Sequence, residues 1–371
     1  MITILPNQIL ESGPGIDLSN LPTGLSVRMA DPVKDFAYAR NAVTLVFDLS
    51  AYEHVRLSFA AMEFGDEPHA PPPNPFGDDA LFDGVAISAD GVAWYEVQDL
   101  RHLRSDRFTA YDLDLDAAIA QWGLSYGSAF RIRFCQYDNN PAPMDGIFIH
   151  RIELTGETHP PYLHLPMDDS SLDPIVHDVA AGQHHQTLNS PGDPNTNAHS
   201  VPGRVGNALQ LAQPDSITMG NVLDPLLAEE RGVTVCFWWK SQGAGGTTYD
   251  HLVSNYIGSG NCLYWYTYDG NLYCAVARSI GTLYHAWTYG DDGLWHHYAL
   301  VRRGRTIEFW RDGTLDRTDT TDQNAENLAT GGFWIGACGT GGPSAGCVDD
   351  FRVYDRALFD WEIEALASTN E

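Results

Sequence analysis

Asp-Gly pairs punctuate this chain at Asp83-Gly84, Asp90-Gly91, Asp145-Gly146, Asp269-Gly270, Asp292-Gly293 and Asp312-Gly313. Several stand between short runs rich in Val, Ile, Phe, Tyr and Trp. Asp followed by Gly tolerates the positive φ that a tight two-residue hairpin demands, so the pattern spells antiparallel sheet. Helical periodicity is scarce. It is confined to residues 114–122 and 358–367, the latter with apolar Leu358, Trp361, Ile363 and Leu366. The expected fold class is all-β.

A chain of 371 residues calls for about two domains. The stretch 155–161, Thr-Gly-Glu-Thr-His-Pro-Pro, separates two strand-like runs, which places a boundary there. The expected organisation is two antiparallel β-sandwich, jelly-roll domains in tandem, 1–157 and 158–371. Residues 67–79 hold five prolines, and residues 181–202 are rich in Gly, Pro, Asn and His. Both read as surface loops without regular structure.

The formal charge is −28, with 21 Lys and Arg against 49 Asp and Glu. Lysine occurs only at Lys34 and Lys240. Such a field repels phosphate backbones and anionic headgroups, which excludes nucleic acid and membrane surfaces as partners. It suits solubility in a salty setting, and it suits divalent cation binding; the two readings are compatible. No run of about 18 apolar residues spans a membrane. The first residues lack a basic segment followed by a long apolar one, so no signal peptide is visible.

In the C-terminal half, motifs follow in order. Leu165-Pro166-Met167-Asp168 precedes Gly203-Arg204-Val205-Gly206-Asn207-Ala208-Leu209 and Val233-Thr234-Val235-Cys236-Phe237-Trp238-Trp239-Lys240. Trp295-His296-His297-Tyr298-Ala299-Leu300-Val301-Arg302 leads to Phe309-Trp310-Arg311-Asp312-Gly313, and Val348-Asp349-Asp350-Phe351-Arg352-Val353-Tyr354 comes last. This series resembles the laminin-G-like, concanavalin A-like jelly roll over about residues 160–371. Val233, Val235, Phe237 and Trp239 share one strand face, as a buried strand requires.

The same alternation places Asp349 beside Phe351 and Val353 on an apolar face, where a carboxylate needs a partner. Backbone amides or an Arg can provide one. The resemblance implies another: many such domains hold calcium where the first and last strands meet, and Asp168 and Asp349 match those positions. Calcium takes several hard oxygen ligands, which two Asp and nearby carbonyls can supply. The N-terminal half more loosely resembles a MAM-like jelly-roll ectodomain, through Glu63-Phe64-Gly65-Asp66-Glu67, Asp83-Gly84-Val85-Ala86-Ile87-Ser88, Gln136-Tyr137-Asp138 and Asp145-Gly146-Ile147. That resemblance implies a cation among Glu63, Asp66, Asp83 and Asp145. The competing reading is that these acids cap turns.

Around Asp269-Gly270, a two-residue turn sets Tyr268 opposite Asn271, Tyr266 opposite Tyr273 and Trp265 opposite Cys274. Leu263, Trp265, Leu272, Cys274 and Val276 then share the core face, and Tyr264, Tyr266 and Tyr273 the other. Tyr284, His285 and Trp287 extend the patch if they face the same way. A tyrosine stripe outside the core stacks on sugar rings or docks on protein. Alternatively it is cross-strand pairing that stabilises the sheet.

Of six cysteines, Cys338 and Cys347 flank a Gly-rich loop and are a candidate disulfide; Cys262 and Cys274 are not cross-strand partners. No spacing suggests zinc. No GxSxG, HExxH or phosphate-binding loop is present. Asp112, Asp114 and Asp116 come nearest to the alternating carboxylates of jelly-roll glucanases, but they contain no Glu and lie at a turn into a helix. The expectation is therefore a non-catalytic, calcium-stabilised protein at the cell exterior or a virion surface, binding glycan or protein. The rival class is a structural component of a virion or appendage, built from many copies; a further alternative is a glycoside hydrolase.

Overall fold

The computed structural model describes residues 1–12, 16–17, 25–30, 39–64, 68–78, 81–138, 146–228, 232–242, 249–258, 261–278, 281–288, 292–320, 327–337, 342–343 and 345–369. The backbone divides into two compact units, Met1–His159 and Pro160–Glu371. Each is a two-sheet β-sandwich whose strand pairings, among the described residues, are antiparallel except for one short parallel pair between Asp250–Ser254 and Gly342–Pro343.

In the first unit, a five-stranded sheet runs Gln8–Ser12, Ala39–Phe47, Phe130–Asp138, Gly84–Ser88, Tyr95–Asp99. The facing sheet runs Ile16–Asp17, Leu25–Ala30, Gly146–Thr158, Tyr52–Glu63, Thr109–Asp114, with Ile2–Ile4 also paired to Gly146–Thr158. Val43, Leu45, Ile132 and Phe134 fill the space between the sheets with Val55, Leu57 and Ile149, all buried. Phe59 and Phe134 meet edge to face at 5.3 Å across the gap. The helix Leu115–Trp122 starts where Asp114 accepts the Ala117 amide (3.0 Å), and it stops where Gly123 turns left-handed at φ 64°.

The proline-rich segment departs from expectation. Phe76 makes a bridge with Trp94, and both pack with Phe82, Ala42, Ala86 and Cys135 on the outer side of the five-stranded sheet. Apolar rings among the prolines give the segment a face to bury, so it is a packed flap.

The second unit stacks an eight-stranded sheet on a nine-stranded one. The eight-stranded sheet centres on Asn207–Leu211, Gly346–Tyr354, Val233–Ser241 and Trp295–Arg303. The nine-stranded sheet ends in the meander Asp250–Ser254, Cys262–Tyr268, Asn271–Arg278, Gly281–Trp287. Val233, Val235, Phe237 and Trp239 lie in the shared core with Leu263, Trp265, Leu272, Cys274 and Val276. The His-rich stretch is also more ordered than expected. It contains strand Gln186–Asn189 and the short helix Thr196–His199, because Leu188 enters the core and Gln186–Asn189 pairs with Ser216–Thr218. Trp361, expected on the buried side of the C-terminal helix Asp360–Ala367, stands 42% exposed, while Ile363 is buried.

Candidate functional site

The meander of the nine-stranded sheet folds as its turn chemistry dictates. Asp269 (φ 50°) and Gly270 (φ 73°) are both left-handed, the conformation of a two-residue turn whose twist matches its strands. The resulting register sets Tyr266 against Tyr273 and Trp265 against Cys274. Leu263, Trp265, Leu272 and Cys274 are fully buried, and Tyr264, Tyr266 and Tyr273 are half-buried on the opposite side. Tyr266 and Tyr273 stack at 4.9 Å with their planes 7° apart.

Tertiary pairing enlarges this face beyond the hairpin. Asp250–Ser254 pairs with Cys262–Tyr268 so that His251 lies against Tyr266. Tyr249 stacks on Tyr268 (4.7 Å), and Tyr256 lies 5.6 Å from Tyr264. The ring of His251 lies within 5.5–6.1 Å of the rings of Tyr264, Tyr256 and Tyr266. Tyr249 and Tyr284 are 59% and 54% exposed. His251 is only 5% exposed, its Nδ1 has no hydrogen-bond partner among the described residues, and burial pushes its pKa down to about 4. Burial pushes the Tyr264 hydroxyl up to about 12 and the Tyr266 hydroxyl higher still. The surface is therefore uncharged near neutral pH, with aromatic faces and hydroxyl tips.

Trp287 does not extend this face. The register pairs Leu272 with Trp287 and Ala275 with Tyr284, so strand alternation turns Trp287 inward and Tyr284 outward. Trp287 is 4% exposed in the core, and its indole N–H is donated to Asp316. His285 shares the inward side, edge-on to Trp287 at 4.8 Å. Tyr249, Tyr256 and His251 were not singled out from the sequence. Tyr249 precedes and His251 lies on a strand whose pairing carries a register shift, which alternation along one strand does not reveal.

The second cluster gathers at the turn 203–207. Asp349 Oδ2 accepts the amides of Arg204 (2.6 Å) and Val205 (2.9 Å), and Asp168 Oδ1 accepts the amide of Asn207 (2.6 Å). Glycine is needed here. A Cβ on Gly203 would fall 2.5 Å from Asp349 Oδ2, and one on Gly206 would fall 2.4 Å from Asp168 Oδ1. Asp349 is not, however, on the face of Phe351 and Val353. Asp350 adopts φ 48°, and the pairing with Val233–Ser241 shifts register there, so Val348, Phe351 and Val353 are core while Asp349 pairs with Trp238. A bulge re-aims the side chain.

Asp349 is fully buried, and its Oδ1 has no hydrogen-bond partner among the described residues. Burial pushes its pKa up to about 7, and the charges of Asp350 and Asp168 add to the rise. Among the described residues no third His, Cys, Asp or Glu completes a cluster. Two carboxylates thus meet one turn, and their hard oxygens are of the type that calcium takes.

Residues 213–364 match the family model of the concanavalin A-like lectin/glucanases superfamily. The matched stretch lies within the second unit, which is thus similar to a laminin-G-like jelly roll. Asp349 lies inside the matched stretch and Asp168 before it. No curated protein sequence matches the chain. Among solved structures, domain 4 of AbnA, a GH43 extracellular arabinanase from Geobacillus stearothermophilus solved with arabinotriose, is 18% identical at TM-score 0.44, covering 56% of this chain and 97% of that one. The receptor-binding domain of botulinum neurotoxin mosaic serotype C/D is 14% identical at TM-score 0.42, over 54% of this chain and 51% of that one. The binding domain of Paraclostridial Mosquitocidal Protein 1 is 15% identical at TM-score 0.41, over 54% and 52%.

Cys347 of the laminin-G-like unit is a free, buried thiol, and Cys338 lies outside the described residues. In the first unit, Asp66 and Asp145 also lie outside them. Asp83 is buried and accepts the Tyr137 amide (2.8 Å), with His69 Nδ1 3.0 Å from its other oxygen. Glu63 is half-buried; burial raises its pKa, and Asp83 adds to the rise. The two acids thus feel one another, but Asp83 has a partner, His69, that sequence reasoning did not find. Asp112 pairs with Arg56 through two nitrogens, Asp114 caps the helix, and Asp116 accepts the amides of His54 and Val55 and the Tyr126 hydroxyl. All three acids are held in structural roles.

Proposed function

We propose that this chain is a non-catalytic, surface-binding protein that recognises glycan through the tyrosine face of its laminin-G-like unit. The observation carrying this reading is the continuous aromatic surface of Tyr249, Tyr256, Tyr264, Tyr266, Tyr268 and Tyr273 on the outer side of a rigid sheet. Sugar rings present apolar C–H faces rimmed by hydroxyls. A tyrosine offers a flat face to the first and a hydrogen-bonding tip to the second. The surface is uncharged, which suits a neutral saccharide. Such a protein works outside a cell or on a virion surface.

Calcium is the second part of the proposal. Asp349 Oδ1 and the Asp168 carboxylate would hold it, with carbonyl oxygens and water completing the shell. Bound there, the ion neutralises the buried Asp349 and ties the turn 203–207 to the last long strand. Its role is to stabilise the native state.

A glycan array probed with and without calcium tests the reading, with Tyr266→Ala/Tyr273→Ala as the control. Saccharide binding lost in the double variant supports it. An array without signal, together with a particle mass that grows with protein concentration and shrinks in the double variant, would assign the face to contacts between copies instead.

A further inference from the structure

The first unit contains a cavity that the tyrosine face and the acid pair leave unexplained. On strand Ala39–Phe47, residues Arg40, Ala42 and Thr44 point to the outer side of the five-stranded sheet, opposite to Val43 and Leu45. Arg133 and Cys135 of Phe130–Asp138 stand beside Thr44 and Ala42 on that side. The proline-rich flap folds over them, and Phe76 meets Phe82 edge to face at 5.0 Å. The flap leaves a cavity of about 170 Å³. An apolar cavity of about 150 Å³ is known to accept benzene.

The lining is divided by chemistry. Ala42, Phe76, Phe82 and Cys135 form a buried apolar floor. Burial pushes the Cys135 thiol up to about 12, so the floor carries no charge. Arg40, Asp78 and Arg133 supply the polar end. Arg133 is fixed: it lies 3.7 Å from the Trp94 ring centroid, donates Nε–H to Thr44 Oγ1 (2.9 Å) and is 15% exposed. Its Nη1 donates to Asp78 Oδ1 at 2.6 Å, yet the Asp78 side chain is 74% exposed. Arg40 donates one N–H to the Asp78 carbonyl (3.2 Å), and a guanidinium carries five.

We propose that this cavity binds a small organic acid, with a benzene-sized apolar body on the Phe76–Phe82 floor and one carboxylate on Arg133 and Arg40. The Asp78 carboxylate already occupies Arg133 in the way the ligand's would. It reaches Arg133 from the solvent side, so it acts as an internal competitor. Two guanidiniums at one apolar cavity, in a chain with 49 acids against 21 Lys and Arg, form a local reversal of sign. A planar fork matches a carboxylate through paired, charge-assisted bonds that a neutral isostere does not make.

The test uses the full chain with benzoate and its neutral isostere benzamide, followed by calorimetry and saturation-transfer NMR. Benzoate is expected to bind at least tenfold more tightly than benzamide. Asp78→Asn removes the competitor from an exposed position and is expected to tighten benzoate several-fold. Arg40→Gln, also exposed, is expected to weaken benzoate several-fold and leave benzamide unchanged. Cys135→Leu fills the floor and abolishes both; a melting curve verifies that each variant is folded. Equal binding of the two probes, no saturable benzoate binding to the folded chain, or indifference of benzoate to both Asp78→Asn and Arg40→Gln would each overturn the proposal.

Discussion

The laminin-G-like unit has two outward sheet faces, and the chain finishes them differently. On the eight-stranded sheet, Cys236, Ala299, Val301, Trp310 and Tyr354 point outward, and Leu358 with Ile363 of the C-terminal segment packs over them. On the nine-stranded sheet, the outward residues are tyrosines and one histidine, with Tyr249 and Tyr284 left exposed. An apolar outward face must be covered to stay soluble, and this chain covers one with its own helix. A tyrosine face needs no such cover, because each ring carries a polar tip. The same alternation thus yields a second small core on one side and an accessible aromatic platform on the other.

Truncation should separate the two faces most sharply. Trp310→Ala, beneath the helix, is expected to destabilise the fold by about 3–5 kcal/mol in denaturant titration, as for a buried tryptophan. A loss below about 1 kcal/mol would mean that the helix does not seal this face.

Acid probes both faces through one buried histidine each, His251 under the tyrosines and His297 beside Trp238. Burial depresses both pKa values to about 4. A depressed basic group stays neutral when folded but takes a proton when unfolded. Each therefore has no effect above about pH 6.5 and destabilises the fold increasingly as pH falls toward 4, by up to about 3 kcal/mol per group. Unfolding measured at pH 7 and pH 4.5 should show a smaller acid loss in His251→Phe than in the parent chain. An identical loss would mean that His251 is not held neutral by its surroundings.

Calcium comes next. If it binds only the folded state, it should add about 2.7 kcal/mol at about one hundred times its Kd, and a chelator should remove that gain. Asp349→Asn should abolish the response to calcium while leaving the chelated protein no less stable, since the variant no longer buries a charge. A response that persists in Asp349→Asn would remove the ion from this turn and leave Asp349 as an acceptor of the Arg204 and Val205 amides only.

The smallest stability effect belongs to the platform. Tyr273→Ala should cost the fold less than about 1.5 kcal/mol, while weakening saccharide binding by about 1–3 kcal/mol, the range for an interface aromatic. A variant that melts as early as Trp310→Ala would show that the tyrosines serve the sheet by cross-strand packing.

The sequence by itself determined the local hairpin. Asp269-Gly270 sets the turn, the turn sets the register, and the register divides Leu263, Trp265 and Cys274 from Tyr264, Tyr266 and Tyr273. It also determined the all-β class, because turn signals and alternation are encoded within a few residues of each other. Tertiary structure decided what depends on distant segments. The facing of Trp287 followed from a further strand pairing, and the recruitment of Tyr249 and His251 from a strand pairing with a register shift. The position of Asp349 turned on a bulge at Asp350 that strict alternation does not foresee. Asp83 found His69 only because the proline-rich segment folds back against the sheet. Period-two patterning fixes which side a residue takes along one regular strand. A single left-handed residue, or a partner more than a hundred positions away, changes that side or its neighbours for reasons of packing that no local window contains.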